Sequence, residues 1–183
     1  MSEKIKKRNN LESKYKFPIE ELTKAAIEEL NDRGVTLDDI ALIVKDLQAP
    51  YIKGLTIEFC QYSVQKVMKK REVVNAILTG IELDRLAENN LIREPLLSII
   101  KSDEGLYGID EILPLSIVNL YGSIGLTNFG YLDKEKIGII KNLDEAKDGA
   151  VNTFLDDIVA AIAAAAASRI AHSSKNPRLT NYE

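Results

Sequence analysis

An all-α fold is expected from three features of the sequence. Apolar residues recur at helical spacing along most of the chain. No segment has the strict alternation of a half-buried strand. A run of alanines, Ala160, Ala161 and Ala163 to Ala167, offers a surface that other helices can approach closely. With 183 residues, 45% of them apolar, the chain can bury one core. The expectation is therefore a compact multi-helix domain with a central alanine-rich helix. That helix is either ringed by the others or shared between the subunits of a homo-oligomer, a dimer or tetramer.

The elements follow in order. Lys4, Lys6, Lys7, Arg8, Lys14 and Lys16 crowd a start without apolar periodicity, so residues 1–17 predict a mobile basic arm, able to solubilise the chain or to touch an anionic membrane surface. The domain is expected over 18–172. Leu22, Ala25, Ala26 and Leu30 mark a first helix, stopped by Gly34. Thr36 and Asp39 form a capping-box pattern ahead of Ile40, Ile43, Val44 and Leu47, a second helix that ends at Pro50. A third helix runs from Thr56 to about Lys70, with Ile57, Cys60, Val64 and Val67 on one face. The longest periodic segment spans Val73 to Asn90, and a short helix follows from Glu94-Pro95 to Ile100. The next starts near Asp110, where Pro114 is tolerated close to the first turn, and runs to Tyr121. The segment YGSIGLTNFGYLDK, with three glycines, reads as non-helical. Asp133 can then cap a helix carrying Ile137, Ile140 and Leu143, and Thr153 to His172 forms the alanine-rich helix before a disordered tail over 173–183.

Composition excludes several roles. A formal charge of −4 and a pI near 5.2 argue against a general nucleic-acid binder. A single cysteine, Cys60, allows no intramolecular disulfide and points to the reducing cytoplasm. The longest wholly apolar run, Ile158 to Ala167, falls short of the roughly 18 to 20 residues that span a bilayer, and no signal peptide opens the chain, so a soluble protein is expected.

Chemistry has few places to reside. Cys60 lies on the apolar face of its helix, away from any loop of converging amides, and reads as a core residue rather than a nucleophile. His172, the only histidine, lacks a second with which to bind metal and reads as a surface residue at a helix end. Carboxylates remain. Asn75, Thr79 and Glu82 form one polar line on an otherwise apolar helix, either a solvated stripe or part of a site. Asp156 and Asp157 stand immediately before the apolar run. Thr153-x-x-Asp156 fits a capping box, but Asp157 points elsewhere and needs a cation or a hydrogen-bonded partner, for which magnesium is a common solution. Gly122, Gly125 and Gly130 either make a plain connector or let amides converge on a phosphate, with Ser123, Thr127 and Asn128 as further donors and Lys134 as a positive charge.

YGSIGLTNFGYLDK followed by FLDDIVAAIAAAAASRIAH resembles the phosphatidylglycerophosphatase A family, specifically its soluble branch, which includes low-temperature-requirement C proteins. The similarity covers most of the chain from Glu20 to His172. Membrane-bound members of the family carry a glycine-rich Pro-Gly-Thr stretch and, later, a Trp-Asp-Glu acidic pair. Here Gly122 to Gly130 takes the first place without the proline, and Leu155-Asp156-Asp157 takes the second. The resemblance implies an all-helical oligomer and a magnesium-dependent phosphomonoester hydrolase that removes the terminal phosphate of phosphatidylglycerophosphate or acts on a related phosphomonoester. Asp156, Asp157 and Glu82 would be the catalytic and metal-binding acids. Gly122, Ser123, Gly125, Thr127, Asn128, Lys134 and Asn75 would bind the phosphorylated small molecule or lipid head group. Two other classes stay open: an all-α nucleotide pyrophosphohydrolase using acids such as Glu28, Glu29 and Asp32, and a non-catalytic helical oligomer.

Overall fold

Local signals set several helix ends. The computed structural model describes residues 15–146 and 149–173; the basic arm up to residue 14 and the tail beyond residue 173 lie outside the described residues. The elements are α1 (Ile19–Asp32), α2 (Leu37–Gln48), α3 (Ile57–Val67), α4 (Arg71–Glu88), α5 (Leu96–Lys101), α6 (Ile109–Val118), a 3₁₀ turn (Asn119–Tyr121), α7 (Gly122–Glu135), α8 (Ile139–Asp144) and α9 (Leu155–Ser173). No strand occurs among the described residues. Thr36 and Asp39 form the expected reciprocal capping box at the start of α2, and the Thr56 hydroxyl accepts the Phe59 amide at the start of α3. Gly34, at φ 78°, takes the left-handed conformation that turns the chain out of α1.

The alanine-rich helix is the centre of the molecule. Every residue of α9 from Leu155 to Ala167 is buried, and α2, α3, α4, α6, α7 and α8 all pack against it. Because its side chains are small, bulk comes from the ring around it, from residues such as Ile40, Ile43, Met68, Ile77, Ile117 and Leu132. Two hydroxyls fix the ring to the axis: Ser63 of α3 donates to the Ala166 carbonyl at 2.9 Å, and Ser168 of α9 donates to that of Tyr121 at 2.8 Å. Gly80 of α4 makes another close approach possible, since a Cβ there would lie 2.2 Å from Ile158 Cδ1 and 3.1 Å from Phe154 Cβ. Of the two expected arrangements, the described residues show the helix ringed by its own chain.

The glycine segment departs from expectation, because it is a helix. Gly125, Phe129 and Leu132 recur at helical spacing and are buried, and α7 packs along α9. This tertiary burial offsets the cost of about 1 kcal/mol that each helical glycine carries relative to alanine. Gly125 itself is required by packing, since a Cβ there would meet the Val118 carbonyl at 3.2 Å and Tyr121 Cβ at 3.3 Å. Asp133 consequently lies in the last turn of α7 and does not cap the next helix. Between them the chain turns at Lys136 (φ 44°) and Gly138 (φ 58°). The stretch Ile109–Glu135 has no charge from residue 112 to 132 and, though not wholly apolar like Ile158 to Ala167, could by length and composition alone cross a membrane. It is not one straight rod: Gly122 (φ 72°, ψ −162°) divides it into helices of 10 and 14 residues, each shorter than the roughly 20 a bilayer requires. Ile109, Ile112, Ile124 and Leu126 are exposed along it.

Candidate active site

Asp156 and Asp157 open the central helix and are almost wholly buried, at 5% and 3% exposure. A carboxylate so placed needs compensation, and both receive it from one side chain. The Lys136 ammonium, brought over the start of α9 by the turn after α7, lies 2.6 Å from Asp156 Oδ2 and 3.3 Å from Asp157 Oδ1. Asp133 and Asp144 complete a ring around the same nitrogen, at 3.2 and 4.0 Å. Four carboxylates thus share one cation. Burial and the negative charge of Asp156 push Asp157 up to about 8. Asp156 is pushed up to about 6, burial outweighing the contact with Lys136. The ring holds Lys136 protonated well above the ordinary lysine range in spite of its own partial burial.

A third buried carboxylate, which sequence reasoning missed, fixes this helix end. Asp84 of α4 is completely buried; its Oδ1 and Oδ2 accept the Phe154 amide at 3.1 and 3.3 Å, and Oδ2 accepts the Leu155 amide at 3.0 Å. A side chain from another helix thereby satisfies amides at the start of α9. Burial pushes Asp84 up to about 8, although the two amides and Arg33 pull the other way. The expected local cap does not engage: the Thr153 hydroxyl donates instead to the Ile100 carbonyl at 2.6 Å, and Asp156 turns to Lys136. Arg33 anchors the approach to the helix, donating to Glu88 at 2.7 Å, to the Val151 carbonyl at 2.6 Å and to Asn152 Oδ1 at 2.8 Å. The backbone that presents the aspartates is thus held from three sides.

Beside Asp156 opens a cavity of about 200 Å³, lined by Lys101, Ser102, Asp103, Asp144, Asn152 and Thr153 among others. Its walls are mostly polar. Lys101 lies at the end of α5, with its ammonium 3.0 Å from Asn90 Oδ1.

The other expected site residues do not join this group. Glu82 is on the surface of α4, paired with Arg85 at 3.4 Å; Arg85 also binds Glu29, one of the acids considered for a pyrophosphohydrolase. Two residues further on, about 200° around the helix, Asp84 faces inward in its place. Asn75 and Thr79 share a shallow surface groove with Glu82, and the Thr79 hydroxyl donates to the Asn75 carbonyl. Gly122 and Lys134 sit at opposite ends of α7, about 18 Å apart at 1.5 Å per residue, so one phosphate cannot bridge them. Gly122, Ser123, Thr127 and Lys134 are exposed, Gly125 is packed against the 3₁₀ turn, and Asn128 borders a separate groove with Tyr51 and Tyr131. Thr127 spends its hydroxyl on the Ser123 carbonyl. The cradle is therefore absent, and Lys136, two residues beyond the expected lysine, is the cation that meets the acids. Cys60 is buried as expected, with burial pushing its thiol up to about 11. His172 is exposed at the end of α9.

Among the described residues, no three His, Cys, Asp or Glu side chains form a ready-made metal centre. The carboxylate oxygens around Lys136 are nonetheless hard donors, and their charge exceeds that of the one ammonium. In donor type and in charge they fit a divalent cation such as magnesium.

The chain is similar to known proteins over most of its length. YpjQ of Bacillus subtilis, an uncharacterized protein, is 60% identical over 161 residues, covering 88% of this chain and 90% of that one. Its crystal structure superposes with a TM-score of 0.84 at 59% identity, covering 87% of this chain and 98% of the other. The crystal structure of the low temperature requirement C protein from Listeria monocytogenes gives 0.83 at 57% identity, covering 85% and 98%. Residues 43–172 match the family model of phosphatidylglycerophosphatase A, a span that holds Asp84, Lys101, Asp133, Lys136 and the aspartate pair. By this match, and by its closeness to these relatives, the chain belongs to the phosphatidylglycerophosphatase A family.

Proposed function

We propose that this protein is a magnesium-dependent phosphomonoester hydrolase acting on phosphatidylglycerophosphate or a related phosphomonoester, with its reaction centre at the start of α9. The observation that carries this reading is the buried pair Asp156–Asp157, the first of which lines a polar cavity, inside the segment that matches the family. Asp156 and Asp157 would hold the ion, with Asp133 and Asp144 as the other acids around Lys136, and Glu82 has no part. When bound, magnesium would supply the charge that polarises a phosphoryl group and readies water for attack. Lys101, lining the cavity, offers a positive charge to the phosphoryl oxygens, the role first expected of Lys134. Asp84 and Arg33 hold the backbone on which the acids stand, which keeps their spacing fixed.

The test is phosphate release by the purified protein from a panel of phosphomonoesters that includes phosphatidylglycerophosphate, with and without MgCl₂. Release should require the metal. Asp157→Asn keeps the side-chain shape but removes a ligand charge, and turnover should fall by more than the roughly 10- to 100-fold typical of a change one layer out from a metal. Full activity in that variant, or release that ignores magnesium, rejects the assignment.

A further inference from the structure

Lys136 stands where the charges of four carboxylates meet, and so where a bound cation would stand. Among the described residues it is the one cation within 4.0 Å of either Asp156 or Asp157. One ammonium cannot balance the ring, because Asp133 and Asp144 lie within 4.0 Å of the same nitrogen. A compact divalent ion brings twice the charge to the same hard oxygens and can bind several of them at once. The lysine also has a way out. Its side chain retains 22% exposure, it sits in the turn beyond α7 rather than inside a helix, and its long stem can withdraw to solvent.

We propose that Lys136 is the resident counter-ion of this site. A divalent cation and the Lys136 ammonium compete for Asp156 and Asp157, and metal entry expels the lysine from the ring. The proposal rests on the reading of Asp156 and Asp157 as metal ligands and adds to it a residue that sets their affinity. Without metal, the ammonium keeps two buried acids compensated, which the empty site requires. Once expelled, it remains at the edge of the ring as a positive charge available to the phosphate of the substrate.

Calorimetric titration with MgCl₂ of the wild type, Lys136→Met and Lys136→Arg tests the competition. Lys136→Met should bind magnesium roughly tenfold more tightly, the scale on which groups around a metal centre alter affinity, whereas Lys136→Arg should stay near the wild type. Binding by the wild type that is unchanged or weaker in Lys136→Met overturns the competition but leaves the metal site standing. Absence of magnesium binding in both overturns the metal reading, and the competition with it. Should Lys136→Met not fold, the wild type answers by itself through labelling of lysines with trinitrobenzenesulfonate and mass spectrometry. MgCl₂ should make Lys136 several-fold more reactive, and this increase should vanish in Asp157→Asn. An unchanged or slower reaction at Lys136 overturns the proposal.

Discussion

Helices α7 and α9 lie against each other, and both are built from small residues, yet they use them in opposite ways. In α9 the alanines are enclosed, and the charged residues at its start, Asp156 and Asp157, are enclosed with them. In α7 the polar residues Ser123, Thr127, Lys134 and Glu135 face solvent, and Gly122 and Gly130 have open space where a Cβ would project. Both stretches look equally chemical as sequence. The difference between them is that a polar group acquires an unusual protonation state, and with it a chemical use, only where the surrounding fold takes water away and supplies specific partners. Lys134 and Lys136 make the same contrast within three residues: one is solvated, the other is ringed by acids.

The comparison breaks most directly at Asp84. Asp84→Ala leaves two buried amides at the start of α9 without an acceptor, so stability should fall by about 3 kcal/mol. For a chain of this size that is roughly 10 °C in melting temperature, measurable by calorimetry. Asp84 also gives a pH signature. Its folded-state pKa, about 8, lies above the ordinary 3.8, so the folded protein holds this proton to higher pH than the unfolded chain does. The stability it contributes is complete below 3.8 and drains away as pH rises through about 8, and the metal-free wild type should show this decline more steeply than Asp84→Ala. A decline equally steep in both would remove Asp84 as its source.

Gly80→Ala tests the close approach to α9. Ile158 can rotate its terminal methyl aside, but Phe154 Cβ cannot move without the backbone, so a loss of about 2 kcal/mol is expected in chemical denaturation. The smallest effect belongs to α7. Gly130→Ala adds a methyl into open space on a helix and should stabilise by up to about 1 kcal/mol while leaving turnover unchanged. Lost turnover there would return the glycine helix to the site.

Much of the architecture was legible because helical periodicity is a local signal. The capping box at Thr36 and the stop at Gly34 were read correctly for the same reason: each acts on its own turn. The aspartate pair was legible because two charges directly ahead of an unbroken apolar run leave few ways to solvate them. Asp84 was missed although the stripe of Ile77, Gly80 and Ile81 puts it, and not Glu82, on the buried face of α4; what that stripe could not show is its partners, the amides of residues 154 and 155. Lys136 depended on where α7 ends, and the three glycines made that segment read as no helix at all. Glycine lowers helix propensity by a small amount, and packing against α9 exceeded it.

The burial of α9 also bears on how the protein comes into being. In chain order it follows all the other helices described, yet it is the axis on which six of them pack. During synthesis the ring emerges first and waits around a gap, with the apolar faces of α2, α3, α4, α6 and α7 unsatisfied until residues 155–173 leave the ribosome. Contacts of such long sequence separation form late, so the nascent chain passes through an interval in which its sticky surface is greatest just before it closes.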